Sequence, residues 1–269
     1  MINEAMFPVK EVSAVYPLSG TYKTDETRDK KQSFIGETGY KFIVREDTGD
    51  VLSCMTDEYQ LVTNEQLHLA ADETLRKCGA VEREVKVLGG GKRTIMRYVI
   101  PNVKVKISKD DIVNPEIMFK NSYDGSWEVG VQAGAYRLVC ANGMVIGVVL
   151  SNKSNKHSVY NPRISELPEI IAETVETTAS IFKDDFALML DTKVNQKHVK
   201  EIIEMVPTNV MEPFVQYLMS HKPSNYWDLI NSATWVNTHH MNRNHNSTHQ
   251  FESQIFPKIS NWTREEARA

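Results

Sequence analysis

The sequence predicts an α+β fold, in which a mostly antiparallel sheet core with one packed helix is followed by a C-terminal helical lobe. Short runs of Val, Ile and aromatic residues, separated by turns rich in Gly and Asp, recur between residues 34 and 163. Apolar residues then repeat every three or four positions from 164 to about 241. The repeated strand–helix alternation of a parallel sheet is not apparent.

The N-terminal third is predicted to contain an arm, a hairpin and a helix. Residues 1–33 end in the charged run TYKTDETRDKKQS, which has no periodicity and is interpreted as part of an arm. Strand-like residues at 40–45 and 51–55 flank a turn-rich segment, as in a hairpin. A helix is predicted after Thr63 or Asn64, either of which can cap it, and Gly79 is placed to end it.

Strands fill most of the remaining core. Residues 81–88 and 94–100 read as two strands joined by three glycines at 89–91. Residues 102–108 alternate apolar with mainly basic side chains, which predicts a further strand. The core is taken to end with a polar loop at 151–163.

The C-terminal region is predicted to be helical over residues 164–242 and to end in a polar tail. A long amphipathic helix is expected at 166–191. Three shorter helices are expected at 195–205, 209–221 and 225–241, with prolines near their boundaries. Residues 243–269 begin with a run rich in Asn, His and charge and are interpreted as the tail.

The composition excludes several function classes. The three cysteines are far apart and form no Cys-x-x-Cys pair, which argues against a disulfide framework or a thiolate zinc site. We expect a cytoplasmic protein without membrane contact, because no apolar segment is long enough for a signal peptide or a bilayer span. The nucleotide-binding glycine motifs are also absent. The net charge of −4 means that any affinity for nucleic acid must come from a local patch.

Such a patch is present between residues 83 and 109. This window contains eight basic residues and one acidic residue, Glu84, giving a charge of +7. A basic ribbon of this kind can follow a phosphate backbone while aromatic side chains stack on bases. A solvated sheet face, with lysines protecting an edge strand, explains the same charges.

The stretch from 119 to 147 combines strand-like residues with many polar ones. Buried polar groups need partners, so those that face inwards must form either a satisfied network or a site. Asp124 and Gly125 predict an Asx-type turn. Arg137, Cys140 and Asn142 interrupt the following apolar run.

Two catalytic possibilities remain open at this stage. His245 and His249 have the spacing that places two imidazoles on one helix face, beside His239 and His240, although the Glu of a His-Glu-x-x-His motif is missing. Cys140 with His157 suggests a thiol nucleophile, but a Cys inside such an apolar run is more often a buried inert thiol. We expect neither a metal nor a cofactor.

Several motifs resemble one protein family. They are Ser122-Tyr123-Asp124-Gly125, the run from Arg137 to Met144, Lys156-His157-Ser158, and the run from Tyr226 to Thr234 followed by His239 and Arg243. Over roughly residues 34–256 the chain resembles the domain-of-unknown-function 932 (DUF932) family, whose members are encoded by phages and plasmids. That family often has Arg-His-Thr in place of Lys156-His157-Ser158, so a bidentate Arg contact is not expected there.

The resemblance implies a mobile-element setting but no activity. The order of elements, with its basic hairpin, is also similar to the core of phage single-strand annealing proteins, which form rings and hold single-stranded DNA in a positive groove. We therefore expect a homo-oligomeric protein that binds single-stranded nucleic acid without covalent chemistry, and the annealing of complementary strands in recombination is a further expectation. The expected contact residues are Lys92, Arg93, Arg97, Tyr98, Lys104, Lys106, Tyr123, Trp127, Arg137, Asn142, Lys153, Lys156 and His157.

Two rival hypotheses belong to other classes. One is an enzyme that acts on nucleic acid or a phosphorylated substrate through Asp124, Arg137, Cys140 and His157 or through a metal at the histidine cluster. The other is a protein that binds a host factor, such as an inhibitor of a defence or transcription factor. In that case the polar stretch is purely structural.

Overall fold

The fold is a two-sheet α+β structure with a helical C-terminal region. In a computed structural model, residues 2–22, 30–107, 112–137, 142–145, 164–240 and 245–269 are described. Across these ranges the strands form a three-stranded and a six-stranded antiparallel sheet, and six α-helices accompany them. The predicted α+β class is confirmed.

The smaller sheet begins within the segment that was expected to be an arm. Strand β1 (Val9–Tyr22) pairs with β2 (Lys30–Arg45), which pairs with β3 (Val51–Thr56). The sequence analysis interpreted this segment as an arm, whereas the structure has an edge strand there. An edge strand needs only one apolar face and can obtain its backbone hydrogen bonds from one neighbour, so its sequence can be largely polar. The β2–β3 hairpin is confirmed, and the Arg45 N–H donates to the Asp50 carbonyl at 2.9 Å across its turn.

Helix α1 (Asn64–Lys77) follows the sequence signals closely. The Thr63 hydroxyl accepts a hydrogen bond from Gln66 N, and the Gln66 side chain accepts one from Thr63 N, which completes a capping box. The chain leaves the helix through Gly79, whose φ of +68° is strained for residues with a Cβ. Leu67, among other apolar residues of α1, is buried against the larger sheet.

The larger sheet is formed by six strands. They are β4 (Val81–Leu88), β5 (Arg93–Val99), β6 (Val105–Lys106), β7 (Ile112–Ser122), β8 (Gly130–Arg137) and β9 (Asn142–Val145). Their order is β4-β5-β7-β8-β9, with β6 also paired to β7. The strand expected at 102–108 is shortened to β6 because Asn114 Nδ2 donates to the carbonyls of Ile100, Pro101 and Val103, holding the preceding segment in a turn.

Five helices follow the larger sheet. They are α2 (Leu167–Asp191), α3 (Gln196–Met205), α4 (Thr208–His221), α5 (Tyr226–His240) and α6 (His245–Glu266). The first four confirm the helices expected from the sequence. Helix α6 replaces the expected polar tail, since Phe251, Ile255 and Ile259 lie on one helix face and are buried in the core of the lobe.

Helix α2 connects two hydrophobic cores. Its N-terminal residues Leu167 and Ile171 pack into the core between α1 and the larger sheet. Its C-terminal residues Phe186 and Met189 are fully buried in the core formed by the later helices. The helical lobe and the sheet therefore share a structural element.

The burial of α6 predicts a large stability loss when its apolar face is truncated. We expect Ile259→Ala to lower the free energy of unfolding by about 2–5 kcal/mol, because the side chain is fully buried and leaves a cavity. Urea denaturation measures the difference. The control Glu265→Ala changes an exposed residue of the same helix and is expected to stay within about 0.5 kcal/mol of the native chain. Equal effects of the two changes would contradict the packing of α6.

Candidate functional site

The polar residues at the end of β7 form a buried network. Asn121 Nδ2 donates to Asn64 Oδ1 at 3.0 Å and to the Val62 carbonyl at 2.9 Å. Asn64 Nδ2 donates to Thr94 Oγ1 at 3.0 Å and to the Ala5 carbonyl at 2.8 Å. The network joins α1, β5, β7 and the N-terminal segment, so its main effect is structural.

Tyr123 belongs to the same network. Its side chain is fully buried, and its hydroxyl accepts a hydrogen bond from Asn64 N at 3.0 Å. Burial raises the pKa of Tyr123 to about 12, with the Asn64 hydrogen bond opposing the rise. Tyr123 was expected to stack on a base, but its ring packs against Phe7 in the core and does not reach the surface.

The turn after Tyr123 places Trp127 beside Arg93. Asp124 Oδ1 accepts hydrogen bonds from the backbone N–H and the hydroxyl of Ser126, which confirms the Asx-type turn. Trp127 N donates to Ser122 Oγ at 3.0 Å, and that hydroxyl donates back to the Trp127 carbonyl. The Arg93 guanidinium lies 5.4 Å from the centre of the half-buried Trp127 ring, in a cation–π arrangement.

The two faces of the larger sheet differ in chemistry. Met96, Ile117 and Phe119 belong to the core that includes α1. On the opposite face, Arg97 and Gln132 are both register partners of Met118, so these three residues form one transverse row. This second face, here called the polar face, carries most of the charged residues of the sheet.

A buried ion cluster occupies the polar face. The Glu116 carboxylate is completely enclosed and accepts hydrogen bonds from Arg83 Nε and, at 2.9 Å, from Arg97 Nη1. Arg97 Nε is also 3.3 Å from Glu84, whose other oxygen lies 3.0 Å from Lys86 Nζ. Arg97 was expected to contact phosphates, but its side chain is only 8% exposed and is paired inside the protein.

The surrounding cations keep Glu84 charged. Burial acts to raise the pKa of the Glu84 carboxyl, but the positive charges of Lys86, Arg97 and Arg83 outweigh it, so the pKa lies below its ordinary value. A carboxyl with a lowered pKa stabilises the fold above its unfolded pKa and loses that contribution as the pH falls. The Glu84 carboxylate is therefore charged at neutral pH.

Tyr98 is another expected contact residue that lies inside the protein. It faces α1, where its hydroxyl is 3.3 Å from His68 Nδ1 and its ring makes an edge contact with Phe119. Burial raises the pKa of Tyr98. Its position in the core leaves no surface on which a base could stack.

Among the described residues, the cations of the basic window that lie outside the ion cluster form two separate groups. Lys92 and Arg93 lie at one end of β7, where Arg93 is opposite Ser122 in the strand register. Lys106 lies at the other end of β7, opposite Ile112. These ends are about 33 Å apart at 3.3 Å per residue. Lys92, Lys104 and Lys106 are exposed. The window is thus not one continuous ribbon.

The polar face also contains two residues that were not among the predicted site residues. Gln132 is 7% exposed, and its Oε1 has no hydrogen-bond partner within the described ranges. Lys120 is half-buried, and burial lowers its pKa, although the charge of Glu128 opposes this effect. The available signal was a Gln and a Lys on strands rich in apolar residues, although β7 also carries Asn114, Glu116 and Asn121.

The remaining predicted residues are described only in part. Arg137 and Asn142 are directly opposite each other in the β8–β9 ladder, so the backbone brings this predicted pair together. Lys153, Lys156, His157 and Cys140 lie outside the described residues. Their predicted roles stay predictions.

The histidine cluster lies on two helices. His239 and His240 are exposed near the end of α5, while His245 begins α6 and His249 lies within it. Among the side chains that the structure describes, no group of three or more His, Cys, Asp or Glu is arranged to hold a metal ion. The same part of the chain has no helix long and apolar enough to cross a membrane.

Comparison with known proteins identifies the family. Residues 51–248 match the model of the family described as domain of unknown function (DUF932). The chain belongs to the DUF932 family. The DUF932 match runs from β3 to the first turn of α6 and includes the whole larger sheet. No curated protein and no solved structure matched the chain, so the similarity to annealing proteins stays an interpretation of element order.

The ion cluster predicts strong dependence on Glu116. We expect Glu116→Ala to lower the free energy of unfolding by about 3–5 kcal/mol, because it leaves Arg97 buried without its closest counter-charge. Chemical denaturation measures the change. The matched control, Glu73→Ala, removes a carboxylate from an exposed pair with Lys77 and is expected to leave the free energy of unfolding almost unchanged. A comparable loss in both variants would contradict the cluster's structural role.

Proposed function

We propose that this DUF932 protein binds single-stranded nucleic acid without covalent chemistry. The observation that carries the proposal is the group formed by Lys92, Arg93 and Trp127 at one end of the larger sheet. It combines cationic side chains with a partly exposed indole, as proteins that bind single strands without sequence preference do. We call these three residues the hairpin site.

Each member of the hairpin site has a distinct role in the proposal. Lys92 is exposed beside the Gly89–Gly91 turn, where its ammonium group reaches a phosphate. Trp127 offers part of its ring to a base, while the Arg93 guanidinium lies over that ring, 5.4 Å from its centre. Because every base has a π-face, this contact requires no particular sequence.

A second cationic contact is proposed at the opposite end of β7. Lys104 and Lys106 are exposed there and flank the half-buried Val105. A nucleic-acid strand that contacts the cations at both ends of β7 crosses about 33 Å of the sheet. The function therefore needs an oligonucleotide long enough to span the two contacts, and short fragments would engage only one of them.

The wider biological setting is part of the same proposal. Copies of the chain that assemble into a homo-oligomer would place several hairpin sites along one strand, which favours pairing with a complementary strand. Annealing during recombination of a phage or plasmid in the host cytoplasm is the resulting role. It rests on the family resemblance and on the two cationic contacts.

One observation favours a second candidate function. The buried Gln132 Oε1, which lacks a partner among the described residues, lies in the transverse row with Arg97 on the polar face. A small ligand that carries a hydroxyl or amino group would satisfy that acceptor. The alternative is therefore an enzyme or receptor for a small molecule.

Salt-dependent titration tests the proposal. Fluorescently labelled single-stranded DNA is titrated at several salt concentrations, and the logarithm of the association constant is expected to fall linearly with that of the salt concentration. The Lys104→Glu, Lys106→Glu double variant should bind more weakly, with a salt slope reduced by about 0.7 for each lost phosphate contact. The separate Lys92→Glu variant tests the hairpin site.

The matched control reverses the charge of two exposed lysines that lie outside the proposed contacts. Lys197→Glu with Lys200→Glu produces the same change in net charge on helix α3. This double variant should retain the native salt slope. Absence of binding at low salt, or an equal loss in the control, contradicts the proposal.

A further inference from the structure

Helices α4 and α5 carry a continuous array of aromatic rings. The Tyr217 ring lies 3.8 Å from the centre of the His221 ring, at an interplanar angle of 13°, and 4.1 Å from the centre of the Trp235 ring, at 20°. Trp235 then makes tilted contacts with His239 at 5.2 Å and His240 at 5.0 Å. Neither the histidine metal hypothesis nor the basic window included Tyr217, His221 or Trp235.

The distances determine the order of the rings. Two rings that are nearly parallel to a third and about 4 Å from it cannot occupy the same side of it without overlapping. His221 and Trp235 must therefore lie on opposite faces of Tyr217. The result is a three-ring stack with Tyr217 in the middle and His221 at one end.

The helical framework holds the outer ring in place. Tyr217 and His221 are four residues apart on α4, so their side chains share one helix face. His221 Nδ1 lies 3.0 Å from the Tyr217 carbonyl and 2.8 Å from Ser220 Oγ, which fixes the orientation of the imidazole. Fixing the ring in advance reduces the entropy that a stacking ligand must overcome.

The end of the stack is accessible. His221 is exposed, while Tyr217 and Trp235 are half-buried beneath it. The next residue, Lys222, is also exposed and adopts φ +40°, where the chain turns away from α4. A planar ring at the exposed end of an aromatic stack can continue the stack onto an unpaired base.

We propose that this array binds an unpaired base of a single strand, which stacks on His221 and extends the row of rings. The inference rests on the proposed function and adds a base-binding position in the helical lobe. It assigns His239 and His240 to the far end of the same array, against Trp235, in place of a metal site. The ligand class is any unpaired nucleobase, with no preference for sequence.

The test separates base stacking from phosphate binding. Oligothymidylate and an abasic oligonucleotide of the same length and charge are titrated at one salt concentration. The native protein is expected to bind oligothymidylate about tenfold more tightly. His221→Ala should reduce the ratio of the two affinities several-fold while leaving the affinity for the abasic strand unchanged. His221→Trp should restore the native ratio, because the indole also stacks.

The control variant removes an exposed aromatic ring elsewhere. Tyr40→Ala truncates a side chain that is 49% exposed on β2 and should keep the native ratio. Equal affinity of the native protein for both strands, or an unchanged ratio in His221→Ala, overturns the stacking inference while phosphate binding stands. If neither strand binds, the proposed function and the stacking inference both fail.

Discussion

The larger sheet depends on the burial of Glu116 between two arginines. A carboxylate removed from water is costly unless opposite charges and hydrogen bonds replace its hydration. Arg83 on β4 and Arg97 on β5 supply both, so three adjacent strands are tied together on the polar face. A one-residue slip of β7 would move Glu116 to the face covered by α1 and expose Ile117 and Phe119. The ion cluster thus stabilises one register, and it removes Arg97 from any nucleic-acid contact.

Local signals made much of the fold predictable. The capping box at Thr63, the triple glycine between β4 and β5, and the helical periodicity of α2 each involve residues that are close in sequence. Strand β1 was not recognised although its partner β2 is the next strand in the chain, and helix α6 was not recognised because it packs against helices that are distant in sequence. In β1 the backbone pairs with β2, and in α6 apolar residues pack against α2 and α5. Polar residues near each segment obscured the periodicity of the apolar residues that make these contacts.

The candidate site was predictable by residue type but not by location. Counting charges between residues 83 and 109 could not include Glu116, which lies outside the window and neutralises part of it. Strand alternation could not show that Tyr98 lies in the core and that Lys92 and Lys106 lie at opposite ends of the sheet. The aromatic stack combines Tyr217 and Trp235 from different helices, and no sequence spacing relates them. Contacts of this kind follow only from tertiary packing.

Electrostatic screening determines how the proposed contacts act together. At physiological ionic strength charges interact over about 8 Å, far less than the roughly 33 Å between the hairpin site and Lys106. Each cationic group must therefore bind its own phosphates, and their effects combine only through a strand that reaches both. Stacking on the hairpin site or on His221 is much less sensitive to salt, since it depends on contact between uncharged faces. A net acidic protein can thus hold a polyanion through a few separated cations, provided that base stacking supplies part of the affinity.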